Sequence, residues 1–291
     1  MKRAVGAVSR ARAEQRLGWL MAGPALLLMM AVTLVPVLRT AGLSLERYSL
    51  SAPDERAFAG LDNYGAVLSG QDWWRDLAAT AVLTVTSVGL EFTLGFALAL
   101  AMHKVMWGRH LLRTVVLVPY AVLTVVSAFA FRFAFQPSVG FVGGDFNWLG
   151  ETWSAYTVIV LTEVWKTTPF MALMLLAGLV TVPGEVYEAA KVDGAGAWQR
   201  FWRITVPCVR PAIMVALLFR TLDAFRIFDT VYIQTQGAVG TETLSFLSYR
   251  FLIRDLEVGL GSAVSVLLFG CVALIASCFV RAFRSELGGP R

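Results

Sequence analysis

Between Pro183 and Pro207 the chain reads P-G-E-V-Y-E-A-A-K-V-D-G-A-G-A-W-Q-R-F-W-R-I-T-V-P, a polar, charged insert about one helix-turn-helix long. The runs on either side are apolar and long enough to cross a bilayer. Of 291 residues, 57% are hydrophobic and 15% charged, whereas a soluble domain carries roughly a quarter charged residues. Lipid is therefore the solvent for much of this surface, and the insert stands out as the part that needs something else to touch.

A bilayer core of about 30 Å takes roughly 20 apolar residues per helix. Six stretches qualify: Leu17 to Leu38, Leu77 to Met102, Thr114 to Phe135, Ala155 to Val180, Val209 to Phe228 and Leu260 to Val280. The expected fold class is all-α, a polytopic membrane protein with six transmembrane helices. Basic residues cluster in alternate connections: Lys2, Arg3, Arg10, Arg12 and Arg16; then Lys104, Arg109 and Arg113; then Lys191, Arg200 and Arg203; then Arg281, Arg284 and Arg291. Lys and Arg are retained on the cytoplasmic side, which puts both termini and the insert in the cytoplasm. The expected organisation is a cytoplasmic tail at 1–16, a membrane domain at 17–280 holding the loop 183–207, and a second cytoplasmic tail at 281–291. The first apolar run exceeds a signal-peptide core and lacks a small-x-small cleavage site, so it reads as an uncleaved helix.

The net charge of +5 follows from these loops, and a nucleic-acid partner is not expected. Cys208, Cys271 and Cys278 have no C-x-x-C spacing, so they read as small buried thiols, and no metal is expected. Trp73-Trp74 reads as an interfacial aromatic pair.

Within the insert, Pro183 ends the preceding helix. Glu185 to Lys191 is helix-compatible, with an acid in the first turn. Gly194 and Gly196 make an elbow, and Ala197 to Ile204 forms a second short helix whose Trp198, Phe201 and Trp202 share an apolar face. Pro207 and Pro211 mark the start of the next span. Helices this short are marginal in water, so they need a docking surface, either the headgroup layer or a protein.

Glu188-Ala189-Ala190, three residues, Gly194, nine residues and Ile204-Thr205-Val206-Pro207 together resemble the EAA loop of permease subunits in binding-protein-dependent ABC importers. Val206 stands where leucine is usual. The resemblance implies the type I importer permease fold. It also implies that Glu188, Ala189, Ala190, Asp193, Gly194, Trp198, Phe201, Ile204 and Pro207 couple the chain to an ATPase. No G-x-x-x-x-G-K-[ST] loop occurs, so ATP and Mg would sit on partner ATPase subunits and no cofactor on this chain. Implied partners are a second homologous permease in a heterodimer, two cytoplasmic ATPase subunits and an extracytoplasmic sugar-binding lipoprotein, in a bacterial inner membrane.

Pro24-Ala25, Asn63-Tyr64, Trp165, Pro169-Phe170, Leu176-Ala177-Gly178-Leu179 and Phe228-Asp229-Thr230-Val231-Tyr232 resemble sugar permeases of the maltose and glycerol-phosphate importer class. Glu163 to Phe170 and Leu218 to Asp229 are more similar still to the SugA type, the first permease of mycobacterial trehalose importers. A disaccharide such as trehalose is the implied cargo. Thr235-Gln236-Gly237-Ala238 departs from the usual Thr-x-Gly-Gly-Pro, which puts the external loop geometry in doubt.

Glu91, Arg132, Glu163, Lys166, Arg220, Asp223, Arg226 and Asp229 fall in or at the ends of spans. Each costs roughly 2.5 to 3.5 kcal/mol at a helix centre, so each needs a partner or a wet cavity. Two readings are open. The charges can pair three apart along their own helices, or Glu163, Trp165, Lys166, Asp223, Phe225, Arg226 and Asp229 can line a sugar pathway. Isolated Glu91 and Arg132 could pair between helices. Rival functions are a glycerol-phosphate-type solute, which would want cations without acid partners, and an intramembrane enzyme using Glu and Asp, which would leave the insert unexplained.

Overall fold

A computed structural model describes residues 2–104, 109–142 and 144–287, and the side chains of 19–104, 111–142 and 144–283. Arg291 and the side chains of Arg109, Arg284 and the N-terminal basic residues, all expected on the cytoplasmic side, lie outside what is described. The helices are α1 (Lys2–Leu43), α2 (Asp62–Ser69), α3 (Gln71–Lys104), α4 (Arg109–Ala121), α5 (Thr124–Ala134), α6 (Thr152–Val180), α7 (Gly184–Val192), α8 (Ala197–Arg200), α9 (Val206–Ala224), α10 (Asp229–Gln234), α11 (Leu244–Tyr249) and α12 (Val258–Leu287). One antiparallel hairpin, β1 (Glu46–Arg47) with β2 (Ala57–Phe58), pairs Glu46 with Phe58 and follows α1.

Among the described residues five helical segments are long and apolar enough to cross a bilayer: Trp19–Leu43, Gln71–Lys104, Thr152–Val180, Ala197–Gln234 and Val258–Phe283. The sixth is the pair α4 and α5, bent by 81°, where hydropathy predicts one straight helix from Thr114 to Phe135. Pro119 lies two residues before the end of α4. Proline removes one helix hydrogen bond and its ring crowds the carbonyl four residues back, which weakens the helix here; α4 ends at Ala121 and the chain restarts as α5 at Thr124. Pro169, by contrast, sits inside an uninterrupted α6.

The core is a three-helix junction. Phe96, Ala99 and Met102 of α3, Met171, Leu175 and Leu179 of α6, and Val209, Ile213 and Ala216 of α9 form one buried cluster. Lipid tails are as apolar as these side chains, so close fit rather than water exclusion holds the helices together. Small residues give that fit. A Cβ at Gly95 would lie 2.8 Å from Met171 Cγ, and one at Gly178 would lie 2.4 Å from Ala212 Cβ.

Three expectations change. The segment around Thr235-Gln236-Gly237-Ala238 is packed rather than a loosely exposed loop: Thr230, Val231, Gln234, Thr243, Leu244, Phe246 and Leu247 are buried. In its departing stretch, Gly237 has φ 76° and a Cβ there would meet the Phe246 ring at 2.9 Å, so glycine is required by both conformation and space. Trp73 is 3% exposed, packed with Val67, Phe225, Leu247 and Val264; only Trp74, whose indole donates to the Leu68 carbonyl at 2.9 Å, faces outward. The cysteines are not buried: Cys208 and Cys278 are exposed and Cys271 is half-buried, at sites where lipid serves as well as protein for a small apolar side chain.

At the tightest of the helix contacts, Gly178→Val should destabilise the bundle by about 1–3 kcal/mol through overpacking, whereas Gly23→Val, with nothing within 4 Å of its Cβ, should not. Denaturation midpoints of the two variants in detergent check this.

Candidate functional site

Arg220 is the hub of the polar interior. It lies near the C-terminal end of α9, four residues before Ala224, and its side chain is 2% exposed. Its Nε donates to Glu91 Oε2 at 2.5 Å and its Nη2 to Glu91 Oε1 at 2.8 Å, a two-pronged bond from α9 to α3. The same Nη2 reaches Glu163 Oε2 of α6 at 3.4 Å, and Nη1 donates to Asp223 Oδ2 at 2.5 Å. Glu163 also accepts from Thr230 Oγ1 at 2.5 Å, which brings in α10. One guanidinium thus joins three spans, in the fork geometry that only arginine offers a carboxylate.

Beside this hub lies a cleft of about 150 Å³ lined by Thr124, Glu163, Lys166, Thr167, Asp223 and Arg226, with Ile227 to Thr230 closing it. Five of the seven residues expected along a pathway, Glu163, Lys166, Asp223, Arg226 and Asp229, therefore meet. The other two do not. Trp165 is 43% exposed and lies against the Phe131 ring at 5.6 Å. Phe225 turns away into the core beside Trp73, because the helix ends at Ala224 and the chain turns there. Glu91 and Arg132, which could have paired between helices, do not: Glu91 is taken by Arg220, and Arg132 donates to the Ile233 carbonyl at 2.6 Å.

Pairing along the helices is partial. Arg220 with Asp223 is such a pair. Among the described residues Lys166 and Arg226 have no carboxylate partner; Lys166 Nζ sits 5.6 Å from the Tyr120 ring centre, and Arg226 Nε donates to the Leu222 carbonyl at 3.2 Å. The hydroxyls of Thr124, Thr167 and Thr230 were not singled out by sequence, since an uncharged threonine in a span carries no hydropathy signal.

The insert has its own geometry. Its first helix, α7, ends in a Schellman turn: Ala195 N–H donates to the Ala190 carbonyl at 2.9 Å and Gly194 N–H to that of Lys191 at 3.0 Å. Gly194 has φ 76°, the left-handed conformation that this cap requires. Glu188, Ala189, Asp193, Gly194, Trp198 and Pro207 are exposed, Phe201 and Ile204 half-buried, and Ala190 buried. The second helix is not separate. After the four residues of α8, a π turn at Phe201–Thr205 continues directly into α9. Pro207 would crowd the Arg203 carbonyl in a regular helix, and the wider turn relieves this. As a result Trp198 and Trp202 face outward while Phe201 packs edge-on against Phe96 of α3 at 5.3 Å. Tyr187 and Thr205 hydroxyls, 3.0 Å apart, tie α7 to the base of α9.

A family model described as "Binding-protein-dependent transport system inner membrane component" matches residues 91–287. The trehalose transport system permease protein SugA of Mycobacterium tuberculosis is 47% identical over 281 residues, 95% of this chain and 92% of that one. The trehalose/maltose transport system permease protein MalF of Thermococcus litoralis is 39% identical, with 93% and 95% covered. A bacterial ABC transporter involved in import of the acidic polysaccharide alginate shares the fold, with a TM-score of 0.81 at 21% identity over 95% of this chain and 99% of that one.

Removing the hub should leave Glu91 buried without a partner. Arg220→Ala is expected to cost about 3–5 kcal/mol, whereas Asp223→Asn, at an acid 68% exposed, should cost under about 1 kcal/mol. Thermal midpoints of the purified chain decide it, and equal losses would remove Arg220 from its central place.

Proposed function

The chain belongs to the family of binding-protein-dependent transport system inner membrane components, and from that premise we propose that it carries a disaccharide of the trehalose kind. It is a multi-pass permease subunit of an ABC importer, not an enzyme, and ATP is bound by separate ATPase chains. The observation that carries the cargo reading is the cleft beside Arg220, where carboxylates, cations and threonine hydroxyls converge. Sugar hydroxyls both donate and accept, and such a mixed lining meets both needs. The 47% identity with a permease named for trehalose supports the choice of sugar.

At about 150 Å³ the cleft is below the roughly 300–1,000 Å³ of ligand pockets. We therefore assign it half a site, completed by a second homologous permease in a heterodimer. Glu163, Lys166, Asp223, Arg226 and Asp229 contact the sugar in this reading, and Trp165 and Phe225 shape the surroundings. An extracytoplasmic binding protein delivers the cargo.

Coupling is assigned to the insert, with both termini and the insert on the cytoplasmic face and tails at 1–16 and 281–291. Glu188, Ala189, Ala190 and Asp193 of α7 and its cap present the surface to an ATPase subunit, Gly194 sets the elbow, and Trp198 extends the surface. Phe201, Ile204 and Pro207 join it to the bundle. Helical chain runs from Ala197 through the π turn to Arg220, roughly 30–35 Å at 1.5 Å per residue. A push on α7 thus reaches the hub along one nearly rigid lever.

A second reading is an acidic sugar or sugar phosphate. It is favoured by Lys166 and Arg226, which line the cleft without carboxylate partners among the described residues. ATP hydrolysis by the assembled transporter with its binding protein, measured across neutral disaccharides and phosphorylated sugars, separates the two. Trehalose should stimulate it most; stimulation confined to anionic sugars would replace the first reading by the second.

Two substitutions test the roles. Glu188→Ala with Gly194→Val should abolish sugar-stimulated hydrolysis while membrane insertion persists, and unchanged stimulation in proteoliposomes would refute coupling. Lys166→Gln removes one charge-assisted hydrogen bond, about 1.5–3 kcal/mol, so sugar uptake at limiting concentration should fall at least about tenfold; uptake within twofold of the parent would take Lys166 out of the pathway.

A further inference from the structure

A second cavity, of about 540 Å³, opens at the insert end of the bundle. Leu100, Leu179 and Phe201 are its apolar lining. His103 and Lys104 reach it from the last turn of α3, Lys191 from the last turn of α7, and Arg200 from the end of α8. Among the described residues no carboxylate lines it. Glu185, Glu188 and Asp193 belong to the same insert but stand outside the cavity lining. Among the described residues neither lysine has a carboxylate partner, and Arg200 commits one N–H to the Ala195 carbonyl.

Convergence of Lys104, Lys191 and Arg200 from three elements is unfavourable when the cavity is empty, because like charges repel. A bound anion removes the repulsion. The apolar lining narrows the choice: a small hydrated phosphate gains nothing from Leu100, Leu179 and Phe201, while a phosphodiester with acyl chains meets both cations and lining. The cavity also lies where a membrane headgroup would be, at the ends of α3 and α6, both of them candidate spans.

We propose that this cavity binds the phosphate of an anionic phospholipid, with His103, Lys104, Lys191 and Arg200 around the headgroup and the start of an acyl chain along Leu100, Leu179 and Phe201. Assignment to the cytoplasmic leaflet rests on the orientation proposed above; the binding itself does not. The lipid braces the insert against the end of α3, at the base of the lever that leads to Arg220.

The test is native mass spectrometry of the full chain released from mixed micelles containing phosphatidylglycerol or phosphatidylcholine. The parent chain should retain phosphatidylglycerol selectively. At about fivefold per basic residue, Lys191→Gln should weaken retention about fivefold and Lys104→Gln with Lys191→Gln about thirtyfold. Replacing both lysines with arginine should keep it. Equal retention of the two lipids, unchanged retention in the double glutamine variant, or loss in the double arginine variant would each overturn the proposal. Displacement of the lipid by inorganic phosphate at matching concentration would overturn it in favour of a soluble phosphate site. Should the double glutamine variant fail to fold, Lys191→Gln alone decides. Retention is read without sugar, nucleotide or partner chains, so its failure is distinct from failure of the import reading.

Discussion

The fork between Arg220 and Glu91 is the interaction on which the interior depends. Two ions buried this deeply lose solvation that their mutual attraction restores only when geometry is good and the remaining lone pairs are filled. Here both prongs are made, Asp223 takes a third N–H, and Thr230 fills the far oxygen of Glu163. The arrangement can be satisfied in only one register of α3, α6 and α9. Apolar packing alone would tolerate a sliding of smooth helices; the fork does not. It specifies the bundle more than it stabilises it.

The same fork separates structure from cleft. Glu91 and most of Glu163 are consumed in holding the spans, which leaves Lys166, Arg226, Asp229 and threonine hydroxyls at the edge for other work. A site built beside a rigid pair inherits its rigidity. Because α9 runs unbroken from the insert to the hub, movement at one end and charge placement at the other are mechanically linked.

Much of this was legible in the residues. Hydropathy located the spans, since twenty apolar residues in a row have few alternatives to a bilayer, and the glycine at 194 announced a helix stop that the Schellman turn fulfils. Charges within spans announced a polar interior, but their partners could not be read. Pairing three apart is visible in one dimension; Glu91 and Arg220 are 129 residues apart, and their meeting depends on helix rotation that spacing does not encode. The break after Pro119 and the continuity through Pro207 show the same limit. Both are prolines near helix ends, and whether the backbone stops or widens is decided by what packs around them. The packing of residues 230–248 is not readable from a hydroxyl-rich sequence that looks exposed, although each buried Thr there finds a partner inside.

The first span has a thermodynamic consequence of a different kind. Its apolar window from Trp19 contains no buried residue, so almost nothing of its side-chain surface is invested in the fold of its own chain. Its free energy is set instead by the surrounding medium. Bilayer thickness, acyl composition and the local density of neighbouring helices act on it directly, and mass action makes its hold on any neighbour depend on abundance. The protein is thus two materials: a cross-linked interior with a fixed internal order, and an outer rod whose state is a property of the membrane.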